Sequence, residues 1–595
     1  MKETVVLLDS GVNAEHPIFK DVIIEEYIFD DKKDLWIQKK VNPQQGHGTA
    51  IAGIICSNSN VKKIVSFKIF EERMNADVNK VISALEYIYE NIDCRIINMS
   101  FGITYYNTKL KRICEKLDEK GVVCIAAYDN MGTISYPAAF KEVIGVDASF
   151  ECVRNDDIVF IGNDLVNLVA KGGNQRVAWH NSLYMIVQGA SYATGYVTAK
   201  CISFNENSWK RKDYLNRLKK ISKVHLEQNV QIENGEKLYD FGKMVVFPYS
   251  KEIASMIDFF DLLKYELVDV YDVGKFGKVG KVIKSREGDK EYTIKSIESC
   301  EWNSFDTFVL GHVQELDFFS KENNREKIIQ EVVKRGKNLF CFDTDMAGDI
   351  SKRFSEKSNI FYCPHINYAR LPQKFGKMYK IKTPVLAVVG TSSKQGKFTL
   401  QLKLRKKFLE NGYMVKQLGS EPEAVLFGMD EIYPFGFRTE EIVKLESTIE
   451  MVNYQISEMD KEDPDIIIAG SQAGTIPMRY NHISNYALDR IAFLLGVCPD
   501  AVILCVNYYD SSEEIVRTIQ TIEGLVKCKV IAISVFPLTY RSDWDMVRGV
   551  KSSVTEDEAE IFSREVKERT RIPVCQLGKD DDQIFSECIK YFGNV

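Results

Sequence analysis

The stretch Thr4-Val5-Val6-Leu7-Leu8-Asp9-Ser10-Gly11 decides the fold of the N-terminal region, because an apolar run ends at an acid and a turn. The apolar run is typical of a buried parallel strand in an α/β sheet. Two later blocks, Gly46-His47-Gly48-Thr49 and Gly189-Ala190-Ser191-Tyr192-Ala193, each open a helical pattern. Strand ends and helix starts lie at the carboxyl edge of such a sheet, where sites are built. We therefore expect Asp9, His47 and Ser191 to meet there.

These three residue types can carry out acyl transfer. A serine hydroxyl is a weak nucleophile at neutral pH, a histidine can take its proton, and a buried aspartate can hold the imidazole in the correct tautomer. The helix N-terminus at Ser191 adds its dipole and a free backbone N–H. The chain order Asp9, His47, Ser191 matches subtilisin rather than chymotrypsin or the α/β-hydrolases. Roughly the first 220 residues therefore resemble the subtilases, a family of serine endopeptidases.

Further blocks in family order carry this resemblance. Residues 126–132 resemble the subtilase stretch Ala-Ala-Ala-Gly-Asn-x-Gly, which implies that Asn130 is the oxyanion amide. Residues 96–102 resemble the substrate-binding strand, which implies that an extended peptide lies beside Ser100, Phe101 and Gly102. Residues 135–138 and 143–146 resemble the strand that follows the oxyanion segment.

Four positions depart from the family pattern without removing a catalytic residue. Ala50 stands where many relatives carry His, and Gly195 where Pro is usual. Tyr128 and Asp129 replace small residues that commonly wall the S1 pocket. A carboxylate at Asp129 predicts a preference for Lys or Arg in that pocket, which Tyr128 would narrow. The alternative is that Asp129 points to solvent.

Bulk properties exclude several classes of function. A chain of 595 residues with 45% hydrophobic content is typical of a globular protein of three or four domains. The net charge of −6 and the lack of an 18-residue apolar run predict no nucleic-acid partner and no membrane insertion. The fourteen cysteines show neither C-x-x-C nor zinc spacing, so we predict no metal and a reducing compartment. No signal sequence precedes the first strand, which predicts a cytoplasmic protein.

Alternating strand and helix patterns predict an α/β protein in three domains. These are a subtilisin-like parallel-sheet domain at 1–223, a linker at 224–242, a small Rossmann-like α/β domain at 243–380 and a P-loop α/β domain at 381–595. The middle domain carries no chemical motif, so docking or spacing is its expected role.

The third domain opens with an apolar strand, then Gly390-Thr391-Ser392-Ser393-Lys394-Gln395-Gly396-Lys397-Phe398-Thr399, then a helix. Backbone N–H groups and the helix dipole in such a loop bind phosphates. Five residues, Gly390, Lys394, Gly396, Lys397 and Thr399, are therefore predicted to bind ATP or GTP with Mg²⁺, whereas the peptidase needs no cofactor. The alternative is an ordinary glycine turn in a Rossmann-like sheet. The spacing, one residue longer than the standard loop, resembles that of dethiobiotin-synthetase-like and DUF1611-type P-loop domains.

Two departures favour nucleotide binding over fast hydrolysis. Phe398 stands where many loops place the Mg²⁺-ligating hydroxyl, and Ala469 ends a strand where relatives often carry an acid. Asp465, Glu421 and Glu423 are candidate substitutes for that acid.

The region from Phe247-Pro248-Tyr249-Ser250-Lys251-Glu252 through the P-loop domain resembles a clostridial family of peptide-maturation-system proteins. That resemblance implies a ribosomally made precursor peptide as substrate, leader removal as the reaction, and other peptide-maturation enzymes as partners. Two alternatives stay open. One is a nucleotide-switched peptide-binding protein with a slow or inactive protease fold; the other is an ATP-dependent ligase or acyl-transfer enzyme that uses the P-loop domain.

Overall fold

The structure is a computed structural model that forms two compact units. Unit 1 comprises Met1–Glu233 with Ala369–Lys380, and unit 2 comprises Asn234–Tyr368 with Ile381–Val595. The residues that it describes are 4–41, 43–70, 77–161, 165–204, 210–222, 224–225, 240–274, 277–285, 289–343, 347–354, 359–364, 371, 376–393, 395–433, 445–472, 474–477, 486, 488–536, 538–540 and 551–593.

Unit 1 is a layered α/β structure. Its strands are β1 (Thr4–Asp9), β2 (Ile23–Asp30), β3 (Leu35–Gln38), β4 (Lys63–Lys68), β5 (Ile96–Met99), β6 (Val123–Ala127), β7 (Val143–Ser149), β8 (Ile158–Phe160), β9 (Leu168–Lys171), β10 (Gln175–Trp179), β11 (Leu183–Val187) and β12 (Val224–His225). Its helices are α1 (His47–Asn58), α2 (Val78–Asn91), α3 (Thr108–Glu119), α4 (Ala190–Ile202) and α5 (Arg211–Ile221).

The main sheet of unit 1 has the strand order β12-β8-β9-β7-β6-β5-β1-β4-β2-β3, while β10 and β11 form a separate antiparallel hairpin. The central strands are parallel, and β1 lies between β4 and β5. Because their carboxyl ends share one edge, Asp9 at the end of β1 and the residues after β5 and β6 lie along the same side of the sheet.

The two helices that carry His47 and Ser191 pack together over β1. One hydrophobic cluster joins Leu7 of β1, Ile51 and Ile54 of α1, and Tyr196 of α4. The close packing of these helices accounts for Gly195, which stands where the family usually has Pro: a Cβ at this position would lie 3.1 Å from Cγ2 of Ile54. The absence of a side chain therefore lets α4 approach α1 closely.

Unit 2 contains two parallel sheets. The first consists of β13 (Met244–Phe247), β14 (Leu267–Asp272), β17 (Lys295–Ser296), β18 (Thr307–Leu310), β19 (Asn338–Cys341) and β20 (Phe361–Tyr362), with β15 (Val282–Lys284) and β16 (Glu291–Thr293) as a hairpin. Its strand order is β17-β14-β13-β18-β19-β20. The helices of this part are α6 (Lys251–Asp258), α7 (Gln314–Ser320), α8 (Asn324–Lys334) and α9 (Ala347–Phe354).

The second sheet has the order β23-β22-β24-β21-β25-β26-β29. Its strands are β21 (Val385–Gly390), β22 (Val415–Gly419), β23 (Glu431–Ile432), β24 (Ile466–Gly470), β25 (Ala501–Val506), β26 (Lys529–Val535) and β29 (Val574–Gln576), and β27 (Leu538–Tyr540) pairs with β28 (Lys551–Ser553). The helices are α10 (Lys397–Glu410), α11 (Leu445–Asp460), α12 (Leu488–Val497), α13 (Ser512–Val526), α14 (Glu556–Thr570) and α15 (Asp581–Phe592).

The predicted α/β class is confirmed, but the domain boundaries differ in two respects. The two sheets of unit 2 share a hydrophobic cluster, which joins Met244 and Ile253 to Leu402 and Phe427, so they form one unit. Residues 371 and 376–380, which lie in the predicted middle domain, belong to unit 1 instead. Most of the predicted linker at 224–242 lies outside the described residues.

Two further observations concern membrane-spanning helices and the cysteines. Within the ranges given above, no helix is long and apolar enough to cross a membrane. All fourteen cysteines are free thiols, and all except Cys56, Cys300 and Cys498 are buried.

Candidate active site

Asp9 and His47 form a close pair at the carboxyl end of β1. Nδ1 of His47 lies 2.8 Å from Oδ1 and 3.0 Å from Oδ2 of Asp9. Asp9 is fully buried, and its Oδ1 also accepts the backbone N–H of Ser10 at 2.7 Å. An ionised carboxylate at Nδ1 favours the tautomer that carries its proton there, which leaves Nε2 of His47 as the base.

The environment of His47 sets its basicity. Burial of the imidazole opposes its charged form, but the charge and hydrogen bond of Asp9 outweigh burial, so the pKa of His47 lies above its ordinary value of 6.5. The side chain of His47 is 12% exposed, so a substrate can reach the imidazole. His47 is therefore a stronger base than a free imidazole.

Asn130 lies beside the nucleophile. Its Oδ1 accepts the backbone N–H of Ala190 at 2.8 Å, immediately before Ser191 at the start of α4. A Cβ at Gly189, where φ is +138°, would lie 3.1 Å from Nδ2 of Asn130, so glycine permits this approach. Since Oδ1 is engaged, Nδ2 is the part of the amide that can donate to an oxyanion.

Ser191 is the second residue of α4, directly after Ala190. The ring of Tyr192, the next residue, lies 5.4 Å from the His47 ring between centroids. Four buried polar side chains secure the start of the helix: Oγ1 of Thr194 donates to the carbonyl of Ser191 and lies 2.7 Å from Oγ of Ser100. Ser100 donates to Asn98, and Asn98 donates to Thr198, each at 2.8 Å. This network ties the end of β5 to α4.

Of the residues predicted to contact substrate, some are buried and one, Gly102, is exposed. Ser100 belongs to the buried network, Phe101 packs edge-on against Phe70, and Gly102 is exposed beyond the end of β5. The predicted wall residue Tyr128 differs from expectation, because its ring is buried and its hydroxyl donates to the carbonyl of Leu165. It therefore points into the protein interior.

Asp129 caps its own loop. Its Oδ2 accepts the backbone N–H of Met131 at 2.8 Å, and its own N–H donates to Oγ of Ser135 at 2.9 Å. The carboxylate thus already has a hydrogen-bond partner in the exposed turn, and the preference for Lys or Arg stays a prediction.

The glycine-rich loop of unit 2 joins β21 to α10 as predicted. Lys397 opens α10, and its Nζ donates to the carbonyl of Ser392 at 2.6 Å. Gly396 has a φ of +74°, and a Cβ there would lie 2.5 Å from the ring of Phe536, so only glycine fits. Gly390 ends β21, Thr399 is half-buried in α10, and Lys394 lies outside the described residues.

The acid that secures this loop is Asp510, which the sequence reasoning missed. Its Oδ2 accepts from Thr391 Oγ1, from Gln395 Nε2 at 3.3 Å and from the N–H of Asn507 at 2.8 Å. Burial raises the pKa of Asp510 despite these bonds. The prediction that Asp465 supplies the acid near the P-loop is wrong, because Asp465 precedes β24 at the amino edge of the sheet. Its carboxylate accepts the N–H of Met414 instead.

The other candidate acids follow the carboxyl end of β22, at the edge of the sheet where β21 ends in the P-loop. Glu423 is buried and accepts from Oγ of Ser255 at 3.3 Å, and Glu421 is half-buried. Among the described residues, no group of three or more His, Cys, Asp or Glu is arranged to hold a metal ion.

A second His–Asp pair lies at the first sheet of unit 2. His312, which has no neighbouring acid in the sequence, has its Nδ1 2.6 Å from Oδ1 of Asp343, and Arg325 lies 3.8 Å from Oδ2. The two residues follow adjacent parallel strands, β18 and β19. This pairing places a titratable pair at the carboxyl edge of a sheet in which no motif was found.

Comparison with known proteins assigns two regions of the chain to families. Residues 2–220 match the family model described as the Subtilase family, and residues 374–585 match a domain of unknown function, the DUF1611 C-terminal P-loop domain. Subtilisin DY of Bacillus licheniformis is 24% identical over 206 residues, which cover 32% of this chain and 72% of the relative. Minor extracellular protease Epr of Bacillus subtilis (strain 168) is 29% identical over 166 residues, which cover 26% of this chain and 25% of Epr.

Among solved structures, a DUF1611 family protein from Anabaena variabilis aligns with a TM-score of 0.43 and 13% identity, covering 60% of this chain and all of that one. A cold-adapted subtilisin-like serine proteinase aligns with a TM-score of 0.31 and 21% identity, covering 36% of this chain and 79% of that one.

Proposed function

We propose that this chain, in which a subtilase-family domain precedes a DUF1611 P-loop domain, is an active serine endopeptidase. The observation that carries the proposal is the joint placement of the Asp9–His47 pair and of Asn130 beside Ala190 and Ser191. A base, a nucleophile and an oxyanion donor in one site are the parts that peptide hydrolysis requires.

The proposed reaction follows from these atoms. Nε2 of His47 takes the proton of Ser191 Oγ as the oxygen attacks the scissile carbonyl carbon. Nδ2 of Asn130 and the backbone N–H of Ser191 stabilise the oxyanion. His47 then gives its proton to the departing amine. A water molecule, deprotonated by the same imidazole, attacks the acyl carbon, and the imidazolium returns that proton to Ser191 Oγ as the carboxylic acid leaves. Asp9 stabilises the imidazolium throughout.

The substrate that we propose is a ribosomally made precursor peptide, cleaved in the cytoplasm to remove its leader. Support comes from the resemblance of unit 2 to peptide-maturation-system proteins and from the exposed Gly102 beyond β5, beside which an extended peptide could pair. Other maturation enzymes are the partners that this role implies.

The P-loop domain is proposed to bind ATP or GTP with Mg²⁺ and to regulate cleavage. The loop fits a phosphate, because α10 begins at the loop and its first backbone N–H groups and positive dipole end favour an anion there. The ammonium of Lys397, now on Ser392, can move to an outer phosphate. A bound nucleotide would act on the peptidase through its binding free energy and would take no part in the reaction, since peptide hydrolysis is already favourable. The charge of Lys397 would hold it at the loop.

The test is cleavage of a leader-containing precursor peptide by the full chain, followed by mass spectrometry of the products. We expect one cut between leader and core, which Ser191→Ala abolishes without changing the circular dichroism spectrum. The absence of cleavage by the unmodified chain, together with tight peptide binding, would favour the nucleotide-switched binding protein. Cleavage that persists in Ser191→Ala would refute the assignment of the nucleophile.

A further inference from the structure

We propose that residues 376–380, here called the strap, position the oxyanion loop of residues 128–136, and that Lys377 is the positioning residue of this contact. This inference rests on the proposed peptidase function. The strap lies more than 150 residues beyond the end of the subtilase match at residue 220, yet it belongs to unit 1. The peptidase unit is therefore completed by chain that no subtilase motif includes.

The first support is backbone pairing. The N–H of Met378 donates to the carbonyl of Gly132 at 3.1 Å, and the N–H of Ile134 donates to the carbonyl of Met378 at 2.9 Å. Thr133 and Met378 thus form a parallel bridge. These bonds attach the strap to the part of the loop that begins two residues after Asn130.

The second support is the environment of Lys377. Its side chain is only 9% exposed, and its Nζ lies 3.0 Å from Oδ2 of Asp147 on β7. The same ammonium donates to the carbonyl of Asp129 at 3.4 Å and lies 5.6 Å from the centroid of the Tyr128 ring. One buried cation therefore contacts the residue immediately before Asn130 and a strand of the main sheet.

These contacts bear on catalysis through the position of one amide. Asn130 is held on one side by the N–H of Ala190 and continues on the other into the loop that the strap covers. An oxyanion donor works only when it is fixed where charge develops, and a displacement of about 1 Å can cost roughly 10²-fold in rate. Because Lys377 fixes the carbonyl next to Asn130, its loss should lower kcat more than it raises KM.

The variant Lys377→Met removes the charge and keeps the length of the side chain. In the full chain we expect kcat for a cognate peptide to fall about 10- to 100-fold, within the range for a displaced oxyanion donor, while KM changes less than about 3-fold. Lys377→Arg should restore most of the rate, since it retains the cation. The matched control is Lys380→Met on the same strap, because Lys380 is exposed and contacts only the ring of Tyr105 through a cation–π interaction in the structure described.

Amide hydrogen exchange tests the contact without requiring activity. In Lys377→Met, the amides of residues 128–136 should exchange faster than in the unmodified chain, while those of β5 remain unchanged. If Lys377→Met does not fold, Lys377→Gln, which removes the cation and shortens the side chain but stays polar, carries the same expectation.

The two proposals fail in different ways. A chain without any peptidase activity would refute the proposed function, and faster loop exchange in the same experiment would still support the strap contact. An unchanged kcat in Lys377→Met would overturn the positioning role, whatever the exchange rates show.

Discussion

Asp9→Asn changes the charge of the triad while nearly preserving its shape. Oδ1 of Asp9 accepts the N–H of Ser10 at 2.7 Å, so the side-chain oxygen of the substituted amide should keep that bond. Its NH₂ group would then face Nδ1 of His47, where the second carboxylate oxygen now lies 3.0 Å away. An N–H donor at that position favours the tautomer with an unprotonated Nδ1 and the proton on Nε2, while the amide oxygen, which stands in for the Oδ1 that lies 2.8 Å from Nδ1, is engaged by Ser10.

The expected loss follows from that change of tautomer. A proton on Nε2 prevents His47 from accepting the proton of Ser191, and a comparable change in another serine protease lowers kcat about 10⁴-fold, or about 5 kcal/mol in the barrier. The pH dependence should change as well. Asp9 raises the pKa of His47 and burial lowers it, so without the carboxylate the pKa falls below its ordinary 6.5.

The assay is kcat/KM as a function of pH for both proteins. His47 is a base only when neutral, so activity of the unmodified chain should decline as the pH falls through a pKa above 6.5. In Asp9→Asn the residual activity should decline at a lower pH. A loss smaller than 10-fold, or an acid limb that does not move, would refute this account of the pair.

Three further substitutions give separate tests. Asn130→Ala should lower kcat about 10²–10³-fold by removing the oxyanion donor, and should lower the free energy of unfolding by only about 1 kcal/mol, because the N–H of Ala190 loses its acceptor. Hydrolysis kinetics and chemical denaturation measure the two effects, and an unchanged kcat would contradict the role of Asn130 as oxyanion donor. Lys397→Ala should weaken nucleotide binding in calorimetry and erase any effect of ATP or GTP on kcat/KM, leaving the nucleotide-free value unchanged; a retained nucleotide effect would contradict the proposed role. Thr194→Val should destabilise the protein by about 1–3 kcal/mol, because Ser100 loses a buried partner, and an unchanged denaturation midpoint would contradict the importance of that network.

The parts of the site that could be predicted from sequence are those with strong local signals. Asp9 ends an apolar strand, His47 and Ser191 stand at or next to helix starts, and Lys397 follows a glycine-rich turn. In each case the residue and the element that positions it lie within a few residues of each other, so pattern alone places the side chain. The α/β class followed for the same reason.

The parts that could not be predicted depend on long-range pairing. Asp510 reaches Thr391 across 119 residues, and Lys377 reaches Asp147 across an even longer separation. For Asp465 the prediction placed an acid near the P-loop, but this residue lies at the amino end of β24 and the loop lies at the carboxyl edge of the sheet. Strand direction and sheet order decide such contacts, and a single sequence does not specify them.

Labelling by a fluorophosphonate probe tests the central claim most directly, because it needs neither the natural peptide nor a nucleotide. The probe forms a stable bond only with a serine whose hydroxyl is activated by its neighbours. We predict one label for each chain, on the peptide that contains Ser191, and its loss in Ser191→Ala and in His47→Ala. A folded, unmodified chain that takes up no label at pH 8, or that takes it up equally in His47→Ala, would contradict the claim that Asp9, His47 and Ser191 form a working triad.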